Sequence, residues 1–175
     1  MAPRLGAFDA DALIYAAATG HALGQRVRTP FPTGPVEHPE QVAGIGSPLL
    51  VPEPLAQLMR DRSTDDLGAL GALLGRPDLL PTDQSTVELA AALGASYGLP
   101  AADAVHLAAA VKAATDRFIT DNRADAPSSI SEIAVTYPDE LPEPPRNRPG
   151  PVPVNPGTAP RSARGSRLVH CRLLT

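Results

Sequence analysis

Acidic side chains recur in this sequence at points where they can do more than solvate a surface. Asp9 and Asp11 close the apolar stretch Leu5 to Ala10 and open a helical one. Glu53 follows Leu49-Leu50-Val51-Pro52 at the start of another helix. Asp103 lies near the beginning of Ala101 to Ala110, whose other positions are almost all apolar or small. Asp121 and Asp125 follow Arg117-Phe118-Ile119-Thr120. Open parallel sheets bind ligands beyond the carboxyl ends of their strands. Acids placed there are candidates for a site, and metal ions held by carboxylates are the chemistry they would support.

Each acid also has a plainer explanation. Asp is a favoured helix N-cap, which applies to Asp11, Asp125 and Asp103. The helix dipole alone favours an acid at Glu53. Asp103 nevertheless needs a partner, because a charge beside an apolar face is costly unless paired. Helical spacing places it over His106 and Leu107. His106 is one candidate partner, although a lone histidine in such a helix is more commonly a structural hydrogen-bonding residue.

The elements that must position these acids alternate in type. Leu5 to Ala10 suits a buried strand, and Ala12 to Leu23 a helix. Residues 29–46 are rich in Pro and Gly and read as a loop. Helices are expected around 53–61, 65–75, 83–97 and Ala101 to Ala114, with a short strand at Leu79-Leu80. Ser85 and Glu88 have capping-box spacing, with Thr82 or Asp83 as alternative caps. Arg117 to Thr120 and Glu132 to Tyr137 complete the strands. This alternation predicts βαβ units, hence an α/β fold with a mainly parallel sheet covered on both faces.

Composition narrows the function. The chain has 175 residues, a length that favours one domain with an appended tail. Its aromatic fraction of 3% argues against a protein that works by stacking single-stranded bases. A single cysteine, Cys171, excludes a disulfide framework or a cysteine-based zinc site within one chain and fits a reducing cytoplasm. The longest apolar run, Ala12 to Ala18, is too short for a membrane span. Asp9 and Asp11 interrupt what would otherwise be a signal-peptide apolar segment. Residues 1–141 carry 9 Lys/Arg and 18 Asp/Glu, a net −9, whereas 142–175 carry 6 Arg and 1 Glu, a net +5. The second segment holds eight of the 21 prolines and reads as a flexible tail, with a short strand conceivable over Arg167 to Leu174. An acidic body cannot bind a polyanion through its own surface charge, so cations would have to supply it.

Taken in chain order, these segments resemble the PIN-domain family of metal-dependent nucleases. Phe8-Asp9-Ala10-Asp11-Ala12-Leu13-Ile14-Tyr15 is similar to its opening motif, a hydrophobic-Asp-x-x-hydrophobic run at a strand end. Ser47-Pro48-Leu49-Leu50-Val51-Pro52-Glu53 resembles the segment that delivers a Glu. Ala102-Asp103-Ala104-Val105-His106-Leu107-Ala108 is the most specific match, and Asp116 to Asp125 resembles the last motif. The likeness covers roughly 5–141 and extends in particular to VapC-type ribonuclease toxins of bacterial toxin–antitoxin pairs.

The resemblance implies a three-layer α/β/α domain over 1–141, followed by a disordered tail at 142–175. It implies an endoribonuclease that hydrolyses RNA with Mg²⁺ or Mn²⁺ in the cytoplasm, an antitoxin protein as partner, and homodimerisation. Asp9, Glu53, Asp103 and Asp121 are then the catalytic acids, with Asp9, Asp103, Asp121 and Asp125 as metal ligands. The chain departs from the pattern in several places. Ala10 stands where Ser or Thr is frequent, Pro52 and Pro54 bracket Glu53, and Thr120-Asp121-Asn122 replaces Thr-Asn-Asp. Ala126 replaces a frequent aromatic residue. Asp121, Asn122 and Asp125 thus remain alternatives for the fourth position, and a PIN-like binding module with weakened or lost nuclease activity is the competing expectation. An α/β phosphatase or hydrolase is not indicated, since no glycine-rich phosphate loop or nucleophile elbow is present.

Overall fold

The computed structural model describes residues 6–18, 20–31, 42–61, 64–124 and 126–144. Asp125, much of the expected 29–46 loop, residues 145–175 of the expected tail and its conceivable strand lie outside these residues. Five strands are described: β1 (Gly6–Phe8), β2 (Ile45–Gly46), β3 (Asp78–Leu79), β4 (Arg117–Ile119) and β5 (Ala134–Thr136). The helices are α1 (Ala10–Ala17), α2 (Ala22–Arg28), α3 (Pro52–Asp61), α4 (Thr64–Leu74), α5 (Gln84–Tyr97) and α6 (Ala101–Lys112). Short 3-10 turns span Pro48–Leu50 and Pro138–Glu140.

The strands form one parallel sheet in the order β3-β2-β1-β4-β5. The chain builds outward from β1 through β2 to β3, then returns to the other side of β1 with β4. Strand direction of growth therefore reverses beside β1, the kind of point where parallel sheets open a crevice. Successive strand side chains point to opposite faces. Phe8 and Ile119 enter a core with Leu13, Val27, Leu58 and Leu70 from α1–α4. Ala7, Phe118 and Ile45 enter a second core with Leu93 and Leu107 from α5 and α6. The result is the expected α/β arrangement, with a parallel sheet between two helical layers. No helix among the described residues is long and apolar enough to cross a membrane.

Several elements differ from the sequence reading. The single helix expected over Ala12 to Leu23 is two. Ala18 leaves α1 in an extended conformation, and His21 Nδ1 caps α2 by accepting from the Gly24 N–H at 3.4 Å. Arg28 then donates to the Ala16 and Ala18 carbonyls, so the end of α1 is satisfied from α2. The residues read as the end of a loop contain β2. Gly44 enters it so close to β1 that an added Cβ would stand 2.3 Å from the Gly6 carbonyl oxygen. That glycine marks tight strand contact rather than a turn. Asp83, not Ser85, caps α5, accepting from the Thr86 N–H at 2.9 Å, while Glu88 accepts from Gln84. Lys112 at the end of α6 donates to Asp83 Oδ1 at 2.6 Å and to the Thr86 hydroxyl at 2.8 Å. This lysine is the main reason that the exposed Asp83 carboxyl is held below its ordinary range.

The α1–α2 contact depends on the missing side chain of Gly24. A Cβ there would lie 2.0 Å from the Tyr15 carbonyl oxygen, a backbone atom that cannot swing aside. Overpacking of this kind costs about 1–3 kcal/mol. Gly24→Ala is expected to lower stability by that amount, read as a reduced urea midpoint with an unchanged slope.

Candidate active site

Asp9, Ser47 and Thr120 each directly follow a strand, and those strands, β1, β2 and β4, are adjacent. Parallel register brings their carboxyl ends to one edge of the sheet. All three residues are buried, Asp9 with 3% of its surface exposed. Asp9 is also the N-cap of α1, so strand end and helix start fix the same residue. Its Oδ1 accepts from the Ala10 N–H at 2.7 Å, and its Oδ2 accepts from the Thr120 hydroxyl at 2.7 Å. Asp11, the alternative cap, lies in the first turn instead.

Burial pushes the Asp9 carboxyl above its ordinary value, because the charged form loses water. The nearby His106 and the bonds from Thr120 and Ala10 oppose that shift, and the charge of Glu53 adds to it. Asp9 and Glu53 therefore lie within each other's electrostatic reach. A cation near both would relieve their repulsion.

Glu53 comes from the first turn of α3 and is held by His106 of α6, with Nε2 to Oε2 at 3.1 Å. His106 is buried, and its Nδ1 meets the Ser47 hydroxyl at 3.0 Å. Both of its ring nitrogens are thus engaged by Ser47 and Glu53. Asp103 is not a cap, since Pro100 occupies that position without a side-chain bond. Asp103 Oδ2 instead accepts from Asn122 Nδ2 at 3.5 Å, and the Asn122 backbone N–H donates to the Thr120 hydroxyl oxygen at 3.0 Å. A chain of hydrogen bonds thus runs Asp103–Asn122–Thr120–Asp9 across the end of β4.

Asp121 turns the other way. Its carboxylate accepts from the Tyr15 hydroxyl, the chief cause of a raised Tyr15 pKa, with burial and the charges of Asp121 and Asp11 adding to it. Of the three alternatives for the fourth position, Asn122 is bonded to Asp103 and Asp121 to Tyr15, while Asp125 lies outside the described residues. Ser47 and Thr120 lie inside the motif segments but do not stand out as site residues from sequence. Their positions directly after apolar strand segments were the available signal.

The donor set is one of carboxylate oxygens with an amide nearby, which suits a hard divalent ion such as Mg²⁺ or Mn²⁺. Each Asp9 oxygen has a second lone pair beyond the hydrogen bond it accepts. In the arrangement described, Glu53 is engaged by His106 and Asp103 by Asn122. Among the described residues, no three His, Cys, Asp or Glu side chains stand together at ligand spacing.

No protein-family model matches the sequence, and no curated protein matches it. Among solved structures, a chain of a toxin–antitoxin complex from Klebsiella pneumoniae superposes with a TM-score of 0.56 at 20% identity. The match covers 78% of this chain and 99% of that one, a likeness of fold.

The burial of Asp9 has a consequence for stability. With its folded pKa raised above 3.8, native protein keeps this proton to higher pH than unfolded protein does. Stability therefore falls as pH rises from about 3.8 through the folded value. Asp9→Asn removes the charge and leaves a good N-cap. In metal-free buffer at pH 7 the variant is expected to melt at a higher temperature than wild type, and the gain is expected to shrink on acidification toward pH 4. Calorimetry across that range checks it.

Proposed function

We propose that this protein is a metal-dependent endoribonuclease and the toxin of a toxin–antitoxin pair. The observation that carries the reading is the buried carboxylate of Asp9 at the carboxyl ends of the paired strands β1 and β4, within reach of the charge of Glu53. Folding a carboxylate into that position is costly, and a protein that needed only an N-cap could use a neutral Asn or Ser. The likeness to a chain from a toxin–antitoxin complex supports the biological setting. The net charge of −9 over 1–141 makes bound cations the natural means of meeting an RNA phosphate.

Asp9, Glu53 and Asp103 are the acids that would hold Mg²⁺ or Mn²⁺, with Asn122, Asp121 or Asp125 completing the set. When bound, the ion lowers the pKa of a coordinated water and neutralises charge developing on the phosphodiester. The protein's own part is positional. Ala10 and Thr120 fix both oxygens of Asp9, Asn122 orients Asp103, and the buried strand ends keep this edge of the site from collapsing. An antitoxin and a second copy of the chain are the proposed partners.

A second reading, a binding module of the same fold without efficient chemistry, draws on the separate engagement of Glu53 by His106 and Asp103 by Asn122. One experiment separates the two. A labelled RNA of mixed sequence is incubated with the protein, with and without Mg²⁺ or Mn²⁺, beside the Asp9→Asn and Asp103→Asn variants. The nuclease reading expects cleavage that requires metal and is abolished in both folded variants. Metal-independent cleavage, or full activity in either variant, would refute it.

A further inference from the structure

One of the proposed acids, Glu53, is the outer end of a relay whose other members the proposed chemistry leaves without a role. Ser47, His106 and Glu53 are joined end to end, at 3.0 Å and 3.1 Å, through the two nitrogens of one imidazole. The three groups differ sharply in exposure. Ser47 is fully buried, the His106 side chain is 0% exposed, and the Glu53 side chain is 39% exposed. A serine sealed in this way is no nucleophile, because no substrate can reach its hydroxyl. The relay is anchored inside and presents its outer end to the site.

Its proton arrangement follows from what each atom can do. The Glu53 carboxylate only accepts, so the proton on that side belongs to Nε2. In the neutral ring, Nδ1 then accepts, and the Ser47 hydroxyl donates to it. The Ser47 oxygen still accepts from the Leu49 N–H at 3.2 Å. This tautomer satisfies both ring nitrogens and the Ser47 hydroxyl. The backbone beneath Glu53 is stiffened as well, since Pro52 and Pro54 each fix φ on either side of it in the first turn of α3. An isolated, half-exposed Glu would lose side-chain entropy on being held in one rotamer. Here a buried donor meets that cost.

We propose that His106, anchored by Ser47, is a positioning residue that fixes the Glu53 carboxylate for cation binding. The inference rests on the nuclease reading for the role of Glu53. His106 touches neither substrate nor metal in this assignment and acts only through Glu53.

The test uses the full chain. Long-range ¹H–¹⁵N NMR of metal-free protein is expected to show a proton on His106 Nε2, and a ring carrying its proton on Nδ1 alone would overturn the proposal. Mn²⁺ alone is then titrated into two variants. His106→Gln can place an amide N–H where Nε2 stands, whereas His106→Asn reaches only toward Ser47. Removal of partners that orient metal ligands typically weakens affinity about 10–100-fold. His106→Asn is expected to lose Mn²⁺ affinity by that factor, with His106→Gln within about threefold of wild type. Equal affinities in the two variants would overturn the positioning role, since a purely structural histidine gives no such ranking. If wild-type protein takes up no Mn²⁺ and cleaves no RNA, the nuclease reading fails separately. The metal-free spectrum of Glu53→Gln then decides the relay, and an Nε2–H resonance unmoved by that substitution overturns it.

Discussion

The hydrogen bond from the Thr120 hydroxyl to Asp9 Oδ2 joins residues 111 positions apart and closes the end of the sheet over a buried carboxylate. Much of the site is arranged around that contact. Asp9 is held at the start of α1 by its own capping bond. Thr120 in turn accepts from the Asn122 N–H, and so sets the turn that brings Asn122 to Asp103. The same two residues tie β1 to β4 where the order of strands reverses. A buried carboxylate there is destabilising, and its presence is the strongest sign that this edge of the sheet serves something other than stability.

The α6 helix makes the arrangement compact. Ala104, Ala108, Ala109 and Ala110 are all buried, so the helix axis can approach the sheet closely. Against that low surface one long side chain, His106, spans from the helix to Ser47 at the end of β2. Leu107 beside it enters the core with Phe118 of β4. On the other face larger residues, Leu13, Leu58 and Leu70, hold α1, α3 and α4 together. Glu53 rides at the start of α3 and reaches back toward α6. Glu53 and His106 thus come from different helical layers, and the relay between them is a bond between layers as well as a brace for the carboxylate.

The fold class was legible because the chain alternates apolar strand segments with Ala/Leu-rich helices, and local periodicity reports that directly. Asp9, Glu53 and Asp103 were legible as candidates because each stands at the start or near the start of a helix, beside apolar sequence. The contacts that organise them were not. Ser47 and Thr120 find their partners 59 and 111 residues away, and a hydroxyl carries no local sign of a distant partner. The break between α1 and α2 was hidden for a related reason. Ala and Leu residues flank the break on both sides, whereas the groups that satisfy it act through space: His21 caps α2 within the expected helix, and Arg28, beyond it, reaches back to the end of α1. Strand β2 was hidden by its glycines, which resemble turn residues until the neighbouring strand is known. The direction taken by Asp121, toward Tyr15 of α1, likewise depends on a residue far away in sequence.

The separation between β1 and β4 also has a bearing on how the protein comes into being. Helices α5 and α6 are neighbours in sequence and can pair early, at small entropic cost. Joining Asp9 to Thr120 requires closure of nearly the whole domain, the slow kind of contact in folding. During synthesis from the N-terminus, a chain not yet extended past β4 has Asp9, Glu53, Asp103 and His106 but no Thr120 to complete the edge. Asp9 and Glu53 are therefore made well before they are assembled, and a growing chain on the ribosome lacks the finished site until Thr120 and Asn122 have emerged.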